Sequence, residues 1–484
     1  MTSRRAGCPS TLFLFALLGA TTVRAVAAQS SRGALAHEHF AIVNVGVVPM
    51  TSDTLLAGST VLVRDGRIAA VGPSQSIRIP AGARRIDGRD KYLIPGLADM
   101  HAHLFSDGEL PDSLAPAELA VMVVNGLTAT RFMIGTPEQL TLRRDVSSGR
   151  TLGPQIWIAS PELAGRAYSG DDFHGHAVGT PEAARAAVRA AADAGYDFIK
   201  LTLFIAPPVY AAIVDEAGRR GLPVVGHVDA QVGVSRALAA GQHIEHLDNY
   251  LENVLADSAP MKASVSDRGV FKREFWESLD YVDQAKVARI AGETARSGTW
   301  TTPTLTVFKK AFALGQSDEE IRSRPDWKIM PPEHRALYLR ARDQYWANPA
   351  SEERRHRWVE VRDNLTKAIA DSGGRIMAGS DTPEWFFGYG WTLHRELESL
   401  VAAGLTPYQA LHAATRGPAE FLKATSEWGT VERGKRADLV LLSANPLQDI
   451  RGTTRIEGVS LGGKWMDRSA LDRLLKTAMQ RLGA

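Results

Sequence analysis

The sequence contains one cysteine, Cys8, so no disulfide within the chain can staple the fold. Neither sign of charge is in excess: 56 basic and 54 acidic side chains, mixed along the chain, leave a formal net charge of +2. A charge-driven nucleic-acid surface or a polyanionic substrate has no footing in such a balance. Internal repeats and low-complexity linkers are absent as well. The longest apolar run, TLFLFALLGA at residues 11–20, is too short and broken to span about 30 Å of hydrocarbon. What is present, 44% hydrophobic against 23% charged residues over 484 positions, suits a globular chain with a large core.

Arg4 and Arg5 precede that apolar run, and small residues follow it, with Ala25-Val26-Ala27 or Val26-Ala27-Ala28 as a cleavage site. Residues 1–28 therefore read as a secretory signal peptide. Its removal would leave a periplasmic or extracellular protein with no stable membrane anchor and no cysteine. Ser3-Arg4-Arg5 keeps a twin-arginine route open beside the general one, although Gly7 stands where a bulky apolar residue is expected.

Short β-branched runs with turns between them fill residues 37–92, and the same texture returns at 427–470. Two distant segments are thus expected to build one β-sandwich domain. Between them, from 93 to 426, apolar strand-like runs alternate with alanine-rich amphipathic helices such as PEAARAAVRAAADAG. This α/β rhythm predicts a (β/α)8 TIM barrel, with a doubly wound sheet as the rival. Residues 308–365, charged and rich in Trp, Arg and Glu, break the rhythm and read as a helical insertion. On a β-to-α loop it would lie over the barrel mouth and shape the pocket with Trp327, Tyr338 and Trp346. Residues 471–484 read as a C-terminal helix.

Barrel chemistry sits at the C-terminal ends of the strands, and the polar residues ending these runs are His101, His103, Lys200, His227, His246 and Asp381. In LADMHAH, residues i and i+2 of a strand face one way, so two imidazoles enter one space. Imidazole and carboxylate are natural ligands of Zn2+ and similar ions. Each residue alone has a duller reading as core or surface. Together, at successive strand ends, they point to a metal site. Lys200 sits between Phe198-Ile199 and Leu201, where a buried ammonium is costly.

The segments PGLADMHAHL, IKLTLF, GHVDAQVGVSRALAAGQHIEH, AGSDTPEW, LVAAGLTPYQALHAATRGPAEFL and GKRADLVLL resemble the metal-dependent amidohydrolase superfamily, in its imidazolonepropionase-like and prolidase-like branch, from about residue 40 to about 465. The resemblance implies a TIM barrel with a composite β-sandwich. It also implies two divalent ions, Zn2+ being expected, bridged by a carbamate that CO2 forms on Lys200. His101, His103 and Asp381 would hold the more buried ion, and His227 and His246 the more exposed one. Departures from the family pattern occur at Asp229, where many relatives carry a second histidine, and in a spacing one residue shorter before His246, which leaves His243 as a neighbour.

The implied reaction is hydrolysis of an amide, in a dipeptide or N-acyl amino acid, by a metal-bridging hydroxide with Asp381 as general base and acid. His174, His176, Asp229, Tyr250 and Arg166 are the candidate substrate contacts. A lactone or organophosphate hydrolase on the same ligands, a mononuclear deaminase, and a non-catalytic binding protein are the alternatives. Lys200 argues against the deaminase, and the full ligand set against the last. The expected partner is a small amide or peptide, not nucleic acid, and an assembly of identical chains stays open.

Overall fold

The computed structural model describes residues 39–483, except 105–111, 168–174, 262–272, 314–316, 325, 333–334, 337–338, 340–350 and 384–387. The expected signal segment with Cys8, and His174, Tyr338 and Trp346, lie outside the described residues. Strands β1 (Phe40–Val47), β2 (Leu56–Arg64) and β3 (Arg67–Pro73) form an antiparallel meander. Asp65 and Gly66 join β2 to β3, both with positive φ, as a tight two-residue hairpin requires. β4 (Arg84–Asp87) and β5 (Tyr92–Pro95) lie parallel to β1 along successive parts of its length.

β5 runs through Gly96 directly into the barrel. β6 (Leu97–Ala102), β7 (Leu127–Phe132) and β8 (Gln155–Ile158) pair in parallel, and every residue of β6 and β7 is buried, as strands covered on both faces must be. Two short strands, β9 (Glu162–Ala164) and β10 (Gly175–Ala177), extend the loop after β8. The parallel set continues as β11 (Ile199–Leu201), β12 (Val224–Gly226), β13 (His243–Glu245), β14 (Trp300–Thr302) and β15 (Arg375–Ile376). β8 joins β11 through the Ala159–Phe198 bridge, and the segment after β15 returns to β6 through Met100 N–H to Ala378 O at 3.0 Å and the Ala102–Thr382 bridge. Eight parallel strands therefore close a TIM barrel. Ala98, Met100, Ala129, Phe198, Val225, Trp300 and Met377 pack with Phe421 and Trp428 in one of its apolar clusters.

Helix limits follow local chemistry. The helix Pro181–Ala194 starts where Thr180 Oγ1 accepts from Ala183 N–H, carries Pro at its first position, and stops at Gly195 in the left-handed conformation. Ala184, Val188 and Ala191 form its buried stripe. The stretch expected as one insertion is divided. Glu352–Asp371 precedes β15 and packs on the helix Gln284–Ser297, so it is the crossover helix of the β14–β15 unit and part of the barrel's outer ring. Its charge disguises it, because only one narrow face, with Trp358, Val361, Leu365 and Ile369, is apolar and buried. The additional segments before it include the helices Leu305–Ala313 and Asp318–Ser323, and Trp327 is buried there beneath Arg322 and Arg335.

β16 (Leu439–Leu442) returns to pair antiparallel with β5, Leu439 opposite Pro95 and Leu442 opposite Tyr92; β17 (Ile456–Leu461) and β18 (Lys464–Asp467) complete an eight-stranded sheet. Both chain ends thus build one β-rich domain around Phe40, Ile42, Val61, Leu93, Leu441 and Trp465. The helix Arg468–Leu482 comes next and packs on Ala115–Val124. Among the described residues no helix is long and apolar enough to cross a membrane. Leu441→Ala is expected to cost about 2–5 kcal/mol by leaving a cavity at this seam. Urea unfolding checks it, and a loss under about 1 kcal/mol would mean that the seam closes around the gap.

Candidate metal centre

His101 and His103 leave β6 two residues apart, and Asp381 arrives from the segment after β15. Backbone bonds from Asp381 N–H to His101 O (2.7 Å) and from His103 N–H to Thr382 O (2.6 Å) hold the two segments together. Asp381 Oδ1 lies 3.2 Å from His101 Nε2 and 3.3 Å from His103 Nε2, and Oδ2 lies 3.8 Å from His246 Nδ1. The His246 ring is 4.6 Å from that of His101 and stacks on His227 at 5.0 Å. His227 is 22% exposed at its side chain and His101 not at all, which sets a deep and a shallow side to the cluster.

Lys200, the middle residue of β11, lies almost wholly buried beside the same group. Its charge acts on both Glu245 and His246. Gly226 makes room for it: at φ +113°, a Cβ there would stand 2.4 Å from Leu201 O and 3.0 Å from Lys200 Cδ. The structure thus brings together all six residues singled out at the strand ends. His243 points elsewhere. Its Nδ1 accepts the Trp300 N–H at 3.1 Å, Phe421 packs edge-on against it, and burial lowers its pKa to about 4.

The substrate contacts fare differently. Tyr250 is fully buried with its hydroxyl 2.9 Å from Thr294 Oγ1, so it braces a helix and cannot meet substrate. Asp229 uses its carboxylate on the N–H groups of Phe204 (2.6 Å) and Gln231 (2.8 Å), tying the loops after β11 and β12 together, and this too replaces the expected role. A tyrosine or aspartate next to a predicted ligand reads alike in either role until the loop is folded. Arg166 is exposed, stacked on Phe204 at 3.9 Å, and His176 is exposed on β10.

Sequence reasoning missed the residues behind the cluster. Glu245 Oε2 bonds His101 Nδ1 at 2.8 Å, while its Oε1 accepts from Arg131 at 2.8 Å. Arg131 is buried in the barrel and gives a further bond to Met100 O. Asp248 Oδ2 lies 2.7 Å from His227 Nδ1, and Thr304 Oγ1 lies 2.8 Å from His246 Nδ1. The signal was an acid inside HIEHLD, two residues from or beside a ligand. Asp99, also in the apolar strand, accepts from Ser380 and from His101 N–H, and burial pushes it up to about 6.

This arrangement fits a metal. Ligand atoms of His101, His246 and Asp381 lie within 4.8 Å of one another, and buried His101 Nε2 makes no hydrogen bond although it is within ion-pair reach of Asp381. With Nδ1 of His101, His227 and His246 each held by an oxygen, Nε2 is the nitrogen left for a ligand bond. Burial holds the His246 imidazole well below its usual pKa, in the neutral form a metal needs. Burial alone would raise Asp381, but His101 and His246 beside it hold the carboxyl well below the ordinary range.

Residues 92–466 match the model of the amidohydrolase family. A protein of Bifidobacterium longum assigned as a prolidase superposes with a TM-score of 0.66 at 29% identity, over 91% of this chain and 99% of its own. Bottromycin amidohydrolase superposes with a TM-score of 0.71 at 25% identity, over 92% and 91%. Local matches reach an adenine deaminase of Ruegeria pomeroyi, 39% identical over 77 residues, 16% of this chain and 12% of that protein. The chain thus spans only a small part of the deaminase's length.

Glu245 offers a test of the buried ladder. Burial would raise its carboxyl, but Arg131, with His101 and Lys200, overrides burial and holds it at about 2, below the ordinary 4.5. Its stabilising contribution is therefore present above about 4.5 and lost as pH falls towards 2. Acid unfolding of Glu245→Gln should have a flatter limb in that window than the parent. An unchanged limb would show that the carboxylate gains nothing from its neighbours.

Proposed function

The chain belongs to the amidohydrolase family, hydrolases acting on carbon–nitrogen bonds, and from that premise we propose that it cleaves the amide of a dipeptide or N-acyl amino acid at a two-metal centre. The observation that carries this reading is the convergence of His101, His103, His246 and Asp381 beside a buried Lys200. His101, His103 and Asp381 would hold one ion, His227 and His246 the other, and Lys200 both. Its neutral amine adds CO2 and releases a proton, and the resulting carbamate anion removes the cost of burying an ammonium. Divalent ions, Zn2+ suiting these ligands, supply Lewis acidity, lowering the pKa of water and polarising a carbonyl oxygen.

The chain's own groups do the rest. Glu245, Asp248 and Thr304 orient the imidazoles. Asp381, ionised, takes the proton from the attacking water and returns it to the leaving amine. Arg166 supports a substrate with a free carboxylate: it stands beside Phe204, four positions beyond Lys200, its guanidinium exposed and in no ion pair among the described residues.

Lys200→Ala is expected to lose much of the bound metal, and small carboxylic acids to restore part of the activity. Asp381→Asn, loaded with excess metal, should bind a slow dipeptide analogue like the parent yet hydrolyse an amide at least about a hundredfold more slowly. Metal analysis with steady-state kinetics decides both. Two ions and normal turnover in either variant would refute the assigned role. Export completes the proposal, supported by the Arg4-Arg5 and apolar-run pattern. Terminal sequencing of protein from its host should find a start near Ala28 or Gln29, and an intact Met1 would contradict it.

A further inference from the structure

We propose that Arg362, on the crossover helix Glu352–Asp371, is the positioning residue that holds His246 in place at the metal site, with Thr304 and Phe308 beside it. The inference rests on the reading of His246 as a metal ligand.

His246 comes directly after the last residue of β13 and does not continue the strand. Its φ is 60° and that of Leu247 is 55°, the left-handed region that residues with a side chain occupy only when their neighbours enforce it. Its N–H still pairs with Thr302 O at 2.9 Å, but the turn takes its carbonyl away from the ladder. A buried carbonyl needs a donor. The Arg362 guanidinium supplies it, reaching inward from the crossover helix Glu352–Asp371 to His246 O.

Arg362 is itself confined. It is 9% exposed, with its guanidinium carbon 3.5 Å from the centre of the Phe308 ring and 5.3 Å from that of Trp358. The same Phe308 meets the His246 imidazole edge-on at 6.0 Å, so one aromatic ring touches both the donor and the ligand it serves. Thr304, at φ 45°, places Oγ1 2.8 Å from His246 Nδ1 and fixes the rotation of the ring. The next two residues anchor Thr304 in turn. The N–H groups of Leu305 and Thr306 both bond the buried carboxylate of Glu396, at 2.9 and 2.7 Å, tying the helix start to the helix Trp391–Ala402.

His246 is therefore gripped at its carbonyl, at Nδ1 and on its ring edge by three residues of one excursion. The carbonyl bond is specific to Arg362 and can be removed without emptying the space: methionine keeps an unbranched stem over Phe308 and Trp358 but has no donor, while lysine keeps one.

The test is titration of the metal-free full chain with Zn2+, followed by counting bound ions at equilibrium, and with Co2+, followed by its absorption spectrum. Arg362→Met is expected to bind the weaker of the two ions about 10–100-fold less tightly than the parent, with a changed Co2+ spectrum. Arg362→Lys should recover most of that affinity. Parental affinity in Arg362→Met would overturn the proposal. Equal weakness in the Met and Lys variants would also overturn it, since packing and not the donated bond would then matter. If Arg362→Met fails to fold, Arg362→Leu, which also lacks a donor, gives the same readout, and parental Zn2+ affinity there is equally fatal. A parent chain that binds no second ion would bring down the two-metal reading itself, whereas two tight ions in both parent and Arg362→Met would bring down only this inference.

Discussion

The closure of the barrel between its first and last strands is the constraint from which the site arises. Met100, Asp381 and His103 each donate a backbone bond across the join, to Ala378, His101 and Thr382, and those bonds set His101 and His103 each within 3.3 Å of Asp381. The side-chain cluster is not held together by attraction alone. Three imidazoles around one carboxylate would each be better solvated in water. They stay dry because the backbone that carries them has nowhere else to pair, and the energy for that comes from apolar strands packed on both faces.

Beneath the cluster, Asp99, Arg131 and Glu245 carry charge into a space that a TIM barrel normally fills with branched apolar residues. Replacing such a group with hydrocarbon often leaves a protein equally stable, whereas removing one member of a pair does not. Their placement suggests a different use. Glu245 spans from Arg131 to His101, so the position of one ring is tied to a guanidinium on the neighbouring strand, itself beside the stacked rings of Phe198 and Phe421. Orientation is fixed from below by charge and from outside by Thr304 and Arg362.

Much of this could be read from the chain. The strand-helix rhythm is local, so the barrel and the shared sheet were legible from alternating apolar runs. The six polar strand ends were legible because a lysine between Ile199 and Leu201, or two histidines after Met100, contradict their surroundings. Other features depend on contacts that no window of sequence contains. Tyr250 and Asp229 look like rim residues but bond Thr294 and Phe204. Glu352–Asp371 reads as polar insertion because its charged faces outnumber its buried one. Arg131 could not be found at all, since an arginine in GLTATRFMIG announces a solvated strand end, not a group 0% exposed.

The pairing of β5 with β16 has a consequence for the order in which the molecule can be made. A nascent chain that has emerged through β15 possesses every barrel strand, yet β5, which leads into the first of them, has β1 on one side and still lacks β16 on the other. Contacts this far apart in sequence slow folding far more than they weaken the finished product, because closing a loop costs entropy that grows only with the logarithm of its length. The final segment from Leu439 to Asp467 thus acts as a latch that synthesis delivers late. Until it arrives, the edge of β5 that pairs with β16 is open.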